Sequence, residues 1–226
     1  MKREGTTKRS PPVVHQDGIA SSAGAKKAGV GGRGPLSSRA KDLVRRALSN
    51  FVDYRFNWIV AQDERSQAPG LSTSLEVRTF DKRYIDALAQ HPDPRVRSAL
   101  SFERAGCTGF VLLADAEPAA FLHFADVSRY ESASTWPLAS NEVALVNVIT
   151  LPAYRSRGYA SLLIAEATSS LVPKSYQRAI AYIWWNHEAS LRAFRNAGWR
   201  RIGISVEISR GNGRWHSVHI PLKLRR

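Results

Sequence analysis

Two periods of apolar residues alternate along the chain, and together they predict a mixed α/β fold. Residues 143–149 form a near-continuous apolar run rich in β-branched side chains, which is typical of a central strand covered on both faces. Shorter runs with strand-like alternation are found at 75–80, 109–114, 118–127, 177–185, 201–209 and 215–223. Turn-forming residues at 115–117 and 211–213 separate two pairs of these runs, so we expect two hairpins.

Apolar positions at three- and four-residue spacings predict helices between the strands. The clearest is 161–171, which follows the central strand, and further helices are expected at 41–61, 81–90, 95–104 and 188–196. In the predicted helix at 41–61, one apolar face is made by Leu43, Ala47, Phe51, Tyr54 and Trp58. That face is expected to pack on the domain, and binding to a membrane surface is the alternative. A loop at 128–141 is long enough to carry function.

The 226-residue chain is expected to hold one domain at 75–226, a helical extension with a loop at 41–74, and a disordered basic tail at 1–40. Lys and Arg number 33 against 19 Asp and Glu, which gives a net charge of +14. Such a charge favours polyanions, and a phosphorylated coenzyme, RNA and an anionic membrane surface all qualify. The tail is either a solvated segment without a partner or a tether to nucleic acid or acidic lipid.

The single cysteine, Cys107, excludes an intramolecular disulfide, and no group of Cys and His has the spacing of a zinc site. No apolar run reaches the 18 residues of a membrane-spanning helix, and the first forty residues contain no hydrophobic signal core. We therefore expect a cytoplasmic, metal-free protein without a transmembrane segment.

The strongest chemical signal is the junction between the central strand and the helix that follows. Pro152 ends the strand, and the segment from Arg155 to Ala160 reads Arg-Ser-Arg-Gly-Tyr-Ala. Gly158 and the small Ala160 allow a ligand to approach the backbone closely. The free N–H groups of the first helical turn and the helix dipole both attract phosphate. The junction therefore predicts an anion site.

This segment resembles motif A of the GCN5-related N-acetyltransferases (GNAT family), in which Arg or Gln is followed after two residues by Gly, and then after one residue by Gly or Ala. Arg155, Gly158 and Ala160 match the pattern. Arg195 and Arg210 also begin it, but neither copy continues with a small residue or lies between a buried strand and a helix.

A second stretch, from Asn186 through Phe194 and Gly198 to Trp199, resembles motif B of the same family. The resemblance implies a mainly antiparallel sheet flanked by helices, with acetyl-CoA as the acetyl donor. The pantetheine arm would enter a gap between the strands at 143–150 and 177–185. The cofactor-binding residues implied are Val148, Ile149, Thr150, Arg155, Ser156, Arg157, Gly158, Tyr159, Ala160, Asn186 and Phe194.

The resemblance implies direct transfer of the acetyl group to a primary amine. An amino sugar, an antibiotic, a polyamine and a protein amine all remain open as the acceptor. As general base, Glu142 is the first candidate because it is the only carboxylate on or next to the central strand, and His123 is the second. Backbone N–H groups beside the strand would polarise the thioester carbonyl. The protein is expected to be a monomer or a homodimer.

One position departs from the family pattern. Many relatives have a Tyr where this chain has Phe194, and that Tyr serves as the acid for the leaving thiolate. Here the acid role is either vacant or taken by Tyr182 or Tyr159, or the thiolate leaves without help. An alternative function therefore stays open, namely a catalytically weak binding module whose basic tail engages nucleic acid, a ribosome or an anionic surface.

Overall fold

The computed structural model describes residues 52–63, 73–130, 136–210 and 214–222. Eight strands of these residues form one sheet in the order β2-β3-β4-β5-β6-β1-β7-β8. The strands are β1 (Val52–Asp63), β2 (Leu75–Thr79), β3 (Thr108–Ala114), β4 (Glu117–Ala125), β5 (Glu142–Thr150), β6 (Arg178–Trp184), β7 (Arg200–Arg210) and β8 (Arg214–Pro221). Strands β5 and β6 run parallel and the other neighbours antiparallel, which confirms the predicted mixed sheet.

Four α-helices connect the strands: α1 (Lys82–Ala89), α2 (Pro94–Arg104), α3 (Tyr159–Ser175) and α4 (Glu188–Asn196). The Asp81 and Asp93 side chains accept hydrogen bonds from backbone N–H groups two residues later and so cap α1 and α2. Gly198 follows α4 with φ of 84°, the left-handed conformation expected at a helix stop. The helices predicted from the pattern after residue 80 are all confirmed.

Helices cover both faces of the sheet. Helices α1 and α2 pack on one face, where Phe80, Val96, Leu100 and Phe121 share a buried cluster. Helix α3 packs on the opposite face, in a second buried cluster that includes Leu163 and Ile164. We call these the α1–α2 face and the α3 face. The central strand is therefore covered on both faces, as its continuous apolar run predicts.

The prediction of a helix over 41–61 is wrong for residues 52–61, which belong to strand β1. Ile59, Val60, Ala61 and Gln62 are buried one after another, so the chain is covered on two opposite faces, whereas a surface helix buries one stripe. Strand β1 pairs with β6 on one edge and with β7 on the other, and these partners are distant in sequence. The sheet thus begins at residue 52 rather than at 75.

The remaining predictions for the tail at 1–40 and for residues 41–51 lie outside the described residues. None of the described helices is long and apolar enough to cross a membrane.

Because β1 is buried, replacing an isoleucine by alanine should lower the free energy of unfolding more on β1 than on the exposed strand β8. Ile59 is fully buried, whereas Ile220 on β8 is 48% exposed. We expect Ile59→Ala to lower the free energy of unfolding by about 2 to 5 kcal/mol, because it leaves a cavity. Ile220→Ala is the matched control and should cost under about 1 kcal/mol. Urea denaturation measures both, and equal losses would contradict the central position of β1.

Candidate coenzyme and acceptor site

A gap opens in the sheet between β5 and β6. The two strands pair over four residues, from Glu142 opposite Arg178 to Leu145 opposite Ala181. Beyond this point β5 stays with β4 as far as Thr150, while β6 stays with β1 as far as Trp184. The two strands therefore diverge, as the family resemblance implied for this pair.

A β-bulge lies where the divergence begins. Leu145 lies opposite Phe124 and Asn147 lies opposite His123, so Val146 is an extra residue with no partner on β4. A bulge of this kind bends its strand and increases the local twist. We infer that the bulge turns the end of β5 away from β6 and so exposes its edge at residues 146–150.

The opposite end of the two strands is held together by a partly buried ion pair. The Arg178 guanidinium on β6 donates a hydrogen bond of 2.7 Å from Nε to Glu142 Oε1, and its terminal nitrogen also contacts that oxygen. The Ala139 N–H donates to Glu142 Oε2 at 3.0 Å. Glu142 is only 6% exposed. Both carboxylate oxygens are thus occupied at the closed end of the gap.

This arrangement does not support Glu142 as the general base. The carboxylate belongs to the first residue of β5, four residues before Val146, or about 13 Å along the strand from the opening. Its proton-accepting oxygens are already bonded to Arg178 and the backbone. Glu142 therefore acts as a structural clamp.

The predicted anion turn is open to solvent. Gly158 is the N-cap that precedes α3 and has a φ of 78°, and Ser156 also has a positive φ of 63°. A Cβ placed on Gly158 would meet no atom within 4 Å, so packed side chains do not occlude the turn. The Leu162 N–H donates to the Gly158 carbonyl, and the N–H groups of the preceding turn have no acceptor within the helix. The turn thus has the geometry of an anion-binding helix start.

Two arginines flank the turn differently. Arg155 Nε donates to the Thr150 carbonyl at 3.3 Å, and its terminal nitrogen lies 3.6 Å from Asp93 Oδ2. Arg155 therefore braces the turn against α2. The pKa of Asp93 is lowered to about 2, mainly by its hydrogen bonds from Arg95 and to a smaller extent by the charge of Arg155. The guanidinium of Arg157 instead lies over the Tyr154 ring, 5.6 Å from its centroid.

The other predicted coenzyme positions divide into two groups. Val148, Ile149 and Thr150 are half-buried on the stretch of β5 that β6 leaves unpaired. Asn186 is exposed in the connection between β6 and α4. Phe194, by contrast, is buried on α4 with its ring edge-on to Trp199 at 4.9 Å. It offers almost no surface to a ligand, and we assign it to the core.

Comparison with known proteins agrees with this geometry. The model of the acetyltransferase (GNAT) family matches residues 74–199, which is more than half of the chain. The chain belongs to the GNAT family. A comparison with curated protein sequences gives no significant match.

Solved GNAT structures resemble the chain at low identity. A GCN5-related N-acetyltransferase from Kribbella flavida is 14% identical over 81% of this chain and 64% of its own, with a TM-score of 0.47. One from Sphaerobacter thermophilus is 14% identical over 81% of this chain and 58% of its own, with a TM-score of 0.49. An aminoglycoside N-acetyltransferase in complex with CoA is 19% identical over 57% of this chain and 90% of its own, with a TM-score of 0.42. The chain thus spans about three fifths of the length of the first two.

Tyr182 and Tyr159 are the candidate acids for this GNAT chain, and they lie at different places. Tyr182 is the first residue of β6 beyond the paired stretch, on the α1–α2 side of the sheet, and its ring stacks on Tyr130 with centroids 6.5 Å apart. Tyr159 opens α3, and its ring lies 6.2 Å from that of Tyr154. Tyr182 thus lies beside the start of the gap, with its hydroxyl oxygen buried, and Tyr159 lies at the anion turn.

His123 belongs to a polar cluster enclosed by aromatic rings. The ring is fully buried, with the rings of Phe80, Phe102 and Phe121 at 5.4 to 5.9 Å. Its Nδ1 lies 3.3 Å from Asn147 Nδ2, and its Nε2 lies 3.6 Å from Glu103 Oε2. Burial lowers the pKa of His123 to about 4 and raises the pKa of Glu103. At neutral pH the imidazole is therefore uncharged.

Glu103 is the residue of this cluster that the sequence analysis missed. It lies on α2 and reaches over β3, where a Cβ on Gly109 would come within 2.9 Å of Glu103 Oε2 and 3.2 Å of the His123 ring. Gly109 thus makes room for the pair. A glycine inside a strand often marks the close approach of another group, and that was the signal available.

The clamp role of Glu142 predicts a loss of stability rather than of chemistry. Arg178→Met leaves a buried carboxylate without its partner, and we expect a loss of about 3 kcal/mol in urea denaturation. Arg78→Met is the control, because Arg78 pairs with Glu76 on the surface with both side chains about half exposed, and such pairs contribute under about 1 kcal/mol. A similar loss in both variants would contradict the clamp.

The lowered pKa of His123 predicts a pH-dependent stability. The unfolded imidazole takes up a proton near pH 6.5, whereas the folded one resists protonation down to about pH 4, so its contribution to stability is lost as the pH falls. Between pH 7 and 5 this amounts to about 2 kcal/mol. The raised pKa of Glu103 acts in the opposite direction, with stability lost as the pH rises.

We expect His123→Gln to lose less stability than the native chain between these pH values, as measured by urea denaturation at each pH. His216→Gln, on exposed strand β8, is the matched control and should follow the native chain. If His123→Gln also follows the native chain, His123 is not buried as a neutral ring.

Proposed function

We propose that this protein is an acyl-CoA-dependent N-acyltransferase that moves the acetyl group of acetyl-CoA to a primary amine. The observation that carries the proposal is that one strand, β5, has an edge that β6 leaves unpaired beyond Leu145 and leads at its end to the open turn at Gly158. A turn that binds diphosphate and a sheet edge that binds amides are the two features that a pantetheine thioester requires.

The coenzyme would be bound mainly by the backbone. The diphosphate would accept hydrogen bonds from the N–H groups at the start of α3, with Arg157 nearby as a counter-charge. The amide groups of the pantetheine arm would pair with the exposed edge of β5 at residues 146–150, in the way that an added strand pairs with a sheet. This arrangement would place the thioester near the bulge at Val146.

Transfer would then occur by direct attack. The nitrogen lone pair of the neutral amine attacks the thioester carbonyl carbon, a C–N bond forms, and the C–S bond breaks to release the CoA thiolate. The amine gives up one proton, and the thiolate takes one up. Tyr182, beside the start of the gap, is our candidate for protonating the thiolate.

We assign the removal of the amine proton to solvent. About one amine in a thousand is neutral at pH 7, so a proton acceptor speeds the reaction. His123 is the ionisable group opposite the bulge region, but its ring is fully buried and its Nδ1 faces Asn147. A chain of water molecules leading from the gap is therefore the proposed acceptor.

Two isosteric variants test the phosphate turn. Asn and Asp both tolerate the left-handed conformation of Gly158, and there is open space for either side chain. We expect Gly158→Asp to weaken acetyl-CoA binding more than 100-fold, because it adds a negative charge beside the diphosphate. Gly158→Asn should weaken binding about tenfold or less. Isothermal titration calorimetry measures both, and equal affinities would contradict the assignment.

Turnover is tested by thiol release from acetyl-CoA in the presence of amino sugars, polyamines, aminoglycosides and peptide amines. We expect release with at least one of these amines, and its loss in Gly158→Asp. Coenzyme binding without thiol release from any amine would favour the catalytically weak binding module instead.

A further inference from the structure

The cluster of Glu103, His123 and Asn147 connects α2 with the edge of the gap. Asn147 is the second residue of β5 beyond the paired stretch, and it shares a face of the sheet with His123. Its carboxamide nitrogen points at the His123 ring on β4. Because the two polar ends of a carboxamide diverge from its carbon, the oxygen is turned away from β4.

The ring nitrogens of His123 decide which end of Asn147 faces β4. A neutral imidazole carries one proton, so one nitrogen donates and the other accepts. When Glu103 is ionised, its carboxylate favours the proton on Nε2, which lies 3.6 Å away. Nδ1 is then bare and accepts from the Asn147 NH₂ group, and the carbonyl oxygen of Asn147 is presented away from β4.

The reverse arrangement follows when Glu103 is protonated. The carboxylic acid then donates to Nε2, the imidazole proton moves to Nδ1, and Nδ1 donates to the carbonyl oxygen of Asn147. The Asn147 NH₂ group is turned outward instead. The aromatic rings around His123 hold the plane of the imidazole in place. The switch between the two arrangements therefore changes the imidazole tautomer and flips the Asn147 amide, without rotation of the imidazole ring.

We propose that Asn147 binds the acceptor amine through its carbonyl oxygen, and that Glu103, acting through His123, is the positioning residue that keeps this oxygen directed at the amine. The inference rests on the proposed acetyltransferase function. When the amine N–H donates to this oxygen, the nitrogen lone pair is oriented toward the thioester. When the Asn147 NH₂ group points outward instead, two hydrogen-bond donors face each other and no hydrogen bond to the amine N–H can form.

Among the residues that the structure describes, the Cys107 thiol also lies within electrostatic reach of Glu103. The Cys107 thiol, after α2, is affected electrostatically by Glu103, and by Arg129 and Asp126 after β4. Arg129 and Asp126 form an ion pair with each other. Burial raises the pKa of Cys107 and keeps it uncharged at neutral pH. His123 contacts both Glu103 and Asn147, so a change in the protonation of Glu103 can affect Asn147 at the gap through His123.

The first test reads the tautomer directly and does not depend on turnover. Long-range ¹H–¹⁵N NMR spectra of the 226-residue chain at pH 7.5 should show the His123 proton on Nε2. In Glu103→Gln the preference should weaken, and both tautomers should appear. A proton on Nδ1 in the native protein would overturn the proposal.

The second test uses steady-state kinetics with the best amine between pH 5.5 and 8. We expect Glu103→Gln to raise the KM for the amine about tenfold and to leave the KM for acetyl-CoA unchanged. When the KM is expressed as the concentration of neutral amine, which corrects for protonation of the amine itself, we expect it to rise toward low pH in the native enzyme and to stay nearly constant in this variant, since the titrating carboxyl is gone. Glu103→Asp should restore part of the pH dependence, and Asn147→Leu should raise the amine KM at every pH.

Glu166→Gln is the matched control. Glu166 is also a half-buried carboxyl whose pKa is raised by burial, but it lies on α3, which covers the opposite face of the sheet. It should behave as the native enzyme does. An unchanged pH profile in Glu103→Gln, or equal losses in both KM values and in kcat, would overturn the positioning role. Absence of turnover in the native protein would instead contradict the proposed function, while the tautomer measurement would still test the cluster.

Discussion

The short parallel pairing of β5 and β6 is the constraint on which the candidate site depends. Four residue pairs and the Glu142–Arg178 contact hold the strands together at one end. The bulge at Val146 separates them at the other, and β6 remains ordered beyond that point because β1 pairs with its opposite edge. A gap can persist in a sheet only if each strand beside it is held by its other neighbour, and both are.

The anion turn and the gap lie at the same end of β5, so one strand aligns both. The strand leads directly through the short 3₁₀ turn at Pro152–Tyr154 into the start of α3. Arg155 ties this turn to the Thr150 carbonyl and to Asp93 on the α1–α2 face. The turn that is proposed to bind the phosphate is thereby connected to the start of α2, the helix that carries Glu103.

Local sequence signals were sufficient for much of this site and insufficient for the rest. The buried strand, the junction at Gly158 and the helix stop at Gly198 follow from residue preferences that act over a few positions, and the structure confirms them. Strand β1 could not be found in this way, because its partners are distant in sequence and its apolar spacing also fits a helix. The role of a carboxyl group depends on the groups that folding places beside it, and these are not adjacent in sequence. Arg178 lies beside Glu142, and His123 lies beside Glu103, so neither contact could be predicted from local patterns.

The central place of β1 has a consequence for how the chain assembles. During synthesis this strand emerges before either of its partners. Ile59 cannot pair with Tyr182 on β6, or with Gly203 on β7, until those residues have been synthesised. Pairings between such distant segments form slowly, and an unpaired apolar strand is prone to aggregation until they do. Because β1 lies between β6 and β7 in the sheet, the hairpin of β7 and β8 can pair with the remaining strands only through β1.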